Sequence, residues 1–377
     1  MNKAGFYIHI PFCRNVCYYC DFHFVASLKY KNPLIKAIIK ELELKSKDWD
    51  DYNFTSLYFG GGTPSVLSIS EINEIVKCVK NNYNLNNDLE FTFEANPDDL
   101  TTDYLKSLKA DTHVNRLSIG IQSFNDEELK YINRIHNAQQ AINSIKNAQK
   151  SGFENITIDL MYGIPGQKID SWRKTLETFI NLDINHLSAY HLSVEPKTVF
   201  GVFQKRSQIK PTDEEFGLKQ YSILTETLGN SGFEHYEISN FAKMDYYSRH
   251  NTLYWQSVPY LGIGPSAHSY KKDTRSWNIA NNTKYCEYIL LGEKYYEEEN
   301  LTKKDKFNDY ILTALRTKKG ADFNFIREEF GEEFYLHCIN TIKKYSLVNL
   351  YKRDRTFALT EIGWFISDGI IADFMYI

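Results

Sequence analysis

The chain has no apolar run approaching the ~20 residues that a membrane-crossing helix needs, and no charged, apolar, small-residue leader opens it. Charge imbalance is also missing. With 44 Lys and Arg against 48 Asp and Glu, the net charge of −4 exerts no general pull on nucleic acid, and neither a basic tail nor a low-complexity tract is present. Cysteine is scarce: six in 377 residues, as a tight trio (Cys13, Cys17, Cys20) and three scattered singles (Cys78, Cys286, Cys338). That distribution is not a secreted disulfide framework, so a soluble protein in a reducing cytoplasm is expected, with peripheral membrane contact at most. Tyr, Phe, Asn and Lys are plentiful, a bias that points to an AT-rich genome rather than to a function. The length accommodates one large α/β domain and a smaller one.

The trio lies in Tyr7-Ile-His-Ile-Pro-Phe-Cys-Arg-Asn-Val-Cys-Tyr-Tyr-Cys20, a C-x3-C-x2-C spacing. A cubane iron–sulfur cluster normally takes four thiolates. Three from one loop leave one iron open to a small molecule, the arrangement that lets a 4Fe–4S cluster pass an electron into S-adenosylmethionine and start radical chemistry. The alternatives are a zinc knuckle or three unrelated buried thiols. Structural zinc takes four protein ligands, and only His23 follows at short spacing.

Short β-rich runs at 6–10, 56–59, 90–93, 116–120, 156–160 and 186–191 alternate with helical patterns. Helix starts are marked by Asn32-Pro33 before 34–44 and by the capping box Ser68-Ile-Ser-Glu71; Gly152 closes a helix over 138–150. Six β/α units predict a parallel sheet wrapped by helices. Eight would close a barrel, so the expected fold is α/β, a partial, open (β/α)6 barrel. In such folds chemistry gathers at the carboxyl ends of the strands. Strand one runs into the cysteine loop, and strand two into Gly60-Gly61-Gly62-Thr63-Pro64, where a ligand can touch bare backbone. Strands three, four and five end at Glu94, Gln122 and Asp159, which predicts three polar side chains in one mouth with the cluster. A cap or turn role explains any one of them alone. Five consecutive strand ends of this kind are poorly explained by chance.

Taken together, Tyr7-Ile-His-Ile-Pro-Phe-Cys13, Gly60-Gly-Gly-Thr-Pro64, Glu94-Ala-Asn-Pro97, Gly120-Ile-Gln-Ser-Phe124, Arg134-Ile-His136 and Asp159-Leu-Met-Tyr-Gly-Ile-Pro-Gly-Gln167 resemble the radical S-adenosylmethionine enzymes. Within them the resemblance is to the group that holds oxygen-independent coproporphyrinogen III oxidase and a branch of heme chaperones. It implies that Cys13, Cys17 and Cys20 hold a 4Fe–4S cluster, and that Tyr7, Gly61, Gly62, Thr63 and Glu94 surround S-adenosylmethionine. Gln122, Arg134 and Asp159 would complete that pocket, with Tyr19 of the cysteine loop beside it. A carboxylate such as Glu94 suits the ligand's cationic amine, and Arg134 suits its carboxylate.

Two departures separate the chain from the oxidase. The oxidase has a further cysteine two positions after the last ligand, where this chain has Phe22, and it has an N-terminal extension where this chain starts twelve residues before Cys13. Positively, His250-Asn-Thr-Leu-Tyr-Trp255 reproduces the H-N-x-x-Y-W signature of the chaperone branch. Imidazole is a common axial ligand of heme iron, and adjacent aromatics suit a porphyrin face, which makes His250 the candidate heme ligand. A lone histidine is more often structural. His268 and His9 are poorer candidates, His9 belonging to the strand that leads into the cluster loop.

From about residue 301 the pattern changes to helices over 305–317 and 334–345, then β-like runs 347–351 and 356–359 joined by a turn at 352–354. This resembles a winged-helix layout in an α+β domain. Residues 301–377 carry twelve Lys or Arg against eleven Asp or Glu, far from a duplex binder's basic footprint, so a packing or partner-docking lid is expected and no nucleic-acid partner. The expected organisation is a core over 1–240, a connecting region over 241–300 and a C-terminal domain over 301–377. The functional expectation is a heme chaperone that carries heme to apo-hemoproteins. Its rivals are the oxidase of porphyrin biosynthesis and a heme-responsive regulator, the latter disfavoured by the near-neutral C-terminal charge.

Overall fold

Period-two alternation builds the sheet that carries the site. In the computed structural model, which describes residues 1–352 and 354–377, six parallel strands lie side by side in sequence order. They are β1 (Asn2–Ile10), β2 (Tyr52–Gly61), β3 (Asn84–Ala95), β4 (Arg116–Gln122), β5 (Asn155–Tyr162) and β6 (His186–His191). One set of alternate residues is apolar and buried: Phe6, Ile8 and Ile10, then Leu57 and Phe59, Phe91 and Phe93, Leu117 and Ile119, Ile156 and Ile158, and Leu187. These form one core with the apolar stripes of flanking helices such as Lys31–Lys45, Ile69–Asn82 and Ala138–Lys150. The capping box at Ser68 and a second one at Asn137 fix where two of those helices start.

The other alternate set is polar: Tyr7 and His9, Ser56 and Tyr58, Thr92 and Glu94, Arg116 and Ser118, Thr157 and Asp159, His186 and Ser188. Strand register sets them in rows, with Tyr7 opposite Tyr58, Tyr58 opposite Thr92, and Thr92 opposite Arg116. A closed eight-stranded barrel fills its interior with branched apolar side chains. Here the inner face offers hydrogen-bonding groups instead, which suits a bound polar ligand better than a packed core.

The sheet does not close. Beyond β6 the order continues through β8 (Asn240–Ala242) and β7 (Glu234–Glu237), and beyond β1 through β9 (Tyr260–Ile263), β10 (His268–Lys271), β11 (Thr274–Asn278) and β12 (Tyr296–Asn300). Residues 241–300 are therefore largely sheet and helix continuous with the barrel. The helix Arg249–Trp255 is capped by Ser248, and the Glu90 carboxylate accepts the Arg249 and His250 amides at 3.0 and 2.9 Å, docking it on β3.

The C-terminal unit has its own apolar cluster, including Phe307, Phe330, Phe334, Phe357, Trp364 and Phe374. It combines helices Lys303–Ala314 and Glu332–Ile342 with a three-stranded antiparallel sheet of β13 (Ala321–Asp322), β14 (Leu350–Lys352) and β15 (Thr356–Leu359), in the winged-helix-like manner expected. Arg353, in the expected turn, lies outside the described residues. Backbone bonds from Ile238 N to Arg316 O and from Lys318 N to Tyr236 O tie this unit to the barrel. Among the described residues no helix is long and apolar enough to cross a membrane.

Candidate functional site

The cysteine loop is pinned on several sides. At its base Phe12 bridges Val25, and Cys13 N donates to Val25 O at 3.1 Å. On its flank, Asn15 Nδ2 donates to Asn133 O at 2.6 Å, and Asn133 Nδ2 returns a bond to Val16 O at 2.7 Å. Arg14 Nε holds Asp99 at 2.6 Å. The loop thus presents Cys13, Cys17 and Cys20 as three half-buried free thiols.

The turn after β2 is pressed against that loop. Gly62 N donates to Ile10 O at 2.9 Å, and a Cβ on Gly62 would lie 2.7 Å from Phe12 O. Gly61 has φ of +113°, and a Cβ there would meet the His9 ring at 2.5 Å. Glycine is thus required at both positions. Beyond the turn, the Thr63 hydroxyl donates to Cys13 Sγ at 3.4 Å and accepts from Asn96 Nδ2 at 3.1 Å. Arg134 closes the circuit, with Nη1 on Cys17 Sγ at 3.4 Å and Nη2 on Asn96 Oδ1 and Gly120 O at 2.7 Å each. Two of the three thiols therefore already carry a donor. Arg134 is thus oriented by the loop and by the ends of β3 and β4.

Glu94 sits one step further in. Tyr58 OH donates to its Oε1 at 2.7 Å and Gly61 N to its Oε2 at 3.2 Å. Tyr7, Tyr58 and Glu94 crowd Gly60 so closely that a Cβ there would lie within 3.0 Å of each. Burial pushes the Glu94 carboxyl up to about 7, against the pull of the Tyr58 hydroxyl. Asp159, opposite Ser188 in the next row, is lifted by burial to about 6, with Ser188 and Arg116 opposing. Gln122 is buried at a register shift in β4 with φ of +70°. Tyr19 packs against the small apolar cluster of Ile132, Met161, Ile164, Leu192 and Phe200, on the flank of the loop. Sequence reasoning missed Asn96, the hinge between Thr63 and Arg134; its signal was a polar residue at a strand end, inside a motif already in view.

His250 corrects an expectation. Its side chain is only 2% exposed, Nδ1 is 2.8 Å from Ser56 Oγ, and Nε2 is 3.0 Å from Tyr254 OH. The ring stacks on Tyr58 at 4.8 Å, and burial drives it to about 3, hence neutral. With both nitrogens engaged inside the protein, this imidazole offers no free lone pair to heme iron. His9 is likewise buried, between Tyr7 OH and the His23 carbonyl.

Residues 7–179 match the radical SAM superfamily. The chain is 34% identical to heme chaperone HemW of Lactococcus lactis over 98% of its own length and 96% of that protein's. The chain belongs to the HemW family. HemW of Bacillus subtilis is 35% identical over 86% of each chain. The structure of coproporphyrinogen III oxidase (HemN) from Escherichia coli superposes with a TM-score of 0.85 at 22% identity, over 99% of this chain and 90% of that one, a likeness of fold.

Radical SAM membership implies a 4Fe–4S cluster and S-adenosylmethionine, and the residues fit both. Three free, half-buried thiols on one loop are the donor set of a cluster with one open iron. Burial pushes Cys13 up to about 12 and Cys20 to about 11, so these thiols need a cationic partner to ionise, which iron supplies. Donors from Thr63 and Arg134 onto sulfur are of the kind that tunes such clusters. Glu94, poised near neutrality, is ready to pair with a cationic amine.

Proposed function

We propose that the chain is a heme chaperone that binds heme and delivers it to apo-hemoproteins, with Cys13, Cys17 and Cys20 holding the cluster. S-adenosylmethionine lies against Tyr7, Gly61, Gly62, Thr63 and Glu94, with Gln122, Arg134, Asp159 and Tyr19 completing the pocket. When bound, the pair supplies one-electron reduction of the sulfonium. The chain's own part is positioning: Thr63 and Arg134 steady two sulfurs, Glu94 meets the amine, and the glycine turn admits the ligand to the backbone. The observation that carries the reading is likeness to heme chaperones along nearly the whole chain. Phe22, in the oxidase's cysteine position, adds to it, since this side chain is 74% exposed and offers no further thiol.

The test is a paired assay on anaerobically purified protein. Saturable hemin binding without conversion of coproporphyrinogen to protoporphyrinogen is expected. Robust turnover would install the oxidase reading in its place.

A further inference from the structure

The H-N-x-x-Y-W motif is divided between two places. His250 faces the barrel, whereas Tyr254 and Trp255, at the other end of the same helix, line a cleft of about 990 Å³ against the C-terminal unit. That volume lies at the upper end of small-molecule and cofactor pockets, roughly 300–1,000 Å³. The motif helix and the strands after it contribute Tyr254, Trp255, Tyr260 and Tyr270 to its lining, and the C-terminal unit contributes Tyr310, Phe325 and Phe330. Phe325 is 45% exposed although it stands among aromatic neighbours, with Tyr310 at 4.7 Å. The Trp255 indole Nε1 is buried without a hydrogen-bond partner. An orphaned donor of this kind costs free energy until an acceptor arrives.

We propose that this cleft is the tetrapyrrole site, taking a planar macrocycle with two carboxylates between the two aromatic walls. The inference rests on the heme-chaperone reading. Apolar faces on both sides supply stacking area. The rim is of mixed charge. Lys306 pairs with Asp273, Lys318 with Glu234, and Arg275 with Asp309 and Glu299, whereas Lys272 and Lys319 are exposed and hold no ion pair among the described residues. These two lysines are the groups for the carboxylates. No His, Cys or Met is among the lining residues, which leaves phenols as the only side chains of the kinds that commonly ligate heme iron. Two of these phenols are already engaged, since the Tyr310 oxygen accepts from Asp322 N at 2.7 Å and the Tyr254 hydroxyl lies 3.0 Å from His250 Nε2. The macrocycle is therefore held by its faces and its carboxylates rather than by a strong axial bond, a hold that can be released to an acceptor supplying imidazole or thiolate.

The full-length protein is titrated with hemin and separately with metal-free protoporphyrin IX. Protoporphyrin IX should bind within about tenfold of hemin, because iron ligation is not the main hold. Phe325→Ala, an exposed position that leaves the fold intact, should weaken both about three- to tenfold, and K272E combined with K319E should weaken both and reduce the salt dependence. Thr313→Trp, which fills the cleft, should weaken both at least tenfold with cluster content unchanged. If wild-type protein fails to bind hemin, the chaperone reading itself falls. If wild type binds and all the cleft variants bind equally well, heme binds elsewhere and this proposal alone is overturned. A bis-histidine low-spin spectrum, or loss of protoporphyrin IX binding by a hundredfold relative to hemin, would likewise overturn it.

Discussion

The barrel mouth and the C-terminal cleft are built on opposite plans. At the mouth nearly every polar group meets a specific partner, and the circuit from Cys13 through Thr63, Asn96 and Arg134 to Cys17 crosses four segments by named hydrogen bonds. In the cleft the walls come from segments about fifty residues apart, set ring faces among charged side chains, and leave one indole donor unpaired. The two plans divide the labour. Redox chemistry needs atoms held to a fraction of an ångström, whereas a transferable cargo needs a broad surface with few strong bonds. The motif helix joins the two, since Tyr254 lines the cleft while its hydroxyl touches His250, and His250 stacks on Tyr58, the donor to Glu94.

The largest expected effect breaks the mouth outright. Cys17→Ala should remove the brown chromophore and take reconstituted iron from about four per chain toward zero. Cys78, Cys286 and Cys338 should be dispensable for iron content, because all three stand outside the loop. Full iron in the Cys17 variant would remove the cluster assignment, whereas hemin binding that survives it would sharpen the separation of mouth and cleft.

Next is Arg134→Ala, which removes a charged donor from Cys17, Asn96 and Gly120 at once. A loss of about 1.5–3 kcal/mol is expected in S-adenosylmethionine binding, roughly 10- to 150-fold in affinity. Calorimetry on the reconstituted protein reads it. Unchanged affinity would mean that the circuit shapes the loop only.

A smaller effect comes from pH. With its carboxyl at about 7, Glu94 is largely protonated at pH 6 and largely ionised at pH 8. A cationic amine prefers the ionised form, so wild-type affinity for S-adenosylmethionine should rise about tenfold across that interval and level off above it. Folding runs the other way. The native pKa lies above the ordinary carboxyl value, so the folded state holds the proton more tightly, and cofactor-free stability falls as pH rises from about 4.5 to about 7. Glu94→Gln should flatten the binding trend and lessen the stability trend, to which Asp159 and Glu237, also raised by burial, still contribute; a retained binding slope would transfer the role to Asp159.

How much of this was legible in the sequence follows the same division. β6 and the helix Ala138–Lys150 lie where the residue pattern predicts, because alternation and capping signals are local. β3 begins at Asn84 rather than near 90, since Asn84-Leu-Asn-Asn-Asp-Leu89 has little β propensity and becomes strand only by pairing with Asn53 and Phe54 of β2. The strands β7 to β12 escaped notice for a related reason: they are three to five residues long, and β12 reads Tyr-Glu-Glu-Glu-Asn. The cysteines and strand-end residues were visible because each chemical group follows its strand directly. The role of His250 was not, because a motif records side-chain identity and says nothing of burial; Ser56 and Tyr254 decide it from two different segments. Of the cleft only Tyr254 and Trp255 were in view, through the motif; the facing residues of the C-terminal unit carry no local signal.

The smallest expected effect tests whether one rim residue separates this chain from the oxidase whose fold it shares. Phe22 is 74% exposed at the end of the cysteine loop, so Phe22→Cys should alter stability by less than about 0.5 kcal/mol. It restores the oxidase's cysteine pattern without touching Cys13, Cys17 or Cys20, so iron content and the response to S-adenosylmethionine should stay as in wild type. Radical decarboxylation requires the propionate held against the activated cofactor, whereas the aromatic walls that suit a macrocycle belong to the cleft, on the far side of the motif helix. A thiol at the rim moves neither wall. Coproporphyrinogen turnover should therefore remain absent in the variant under anaerobic assay; turnover gained from this single change would show that the mouth already holds the macrocycle, and that cargo and chemistry share one site.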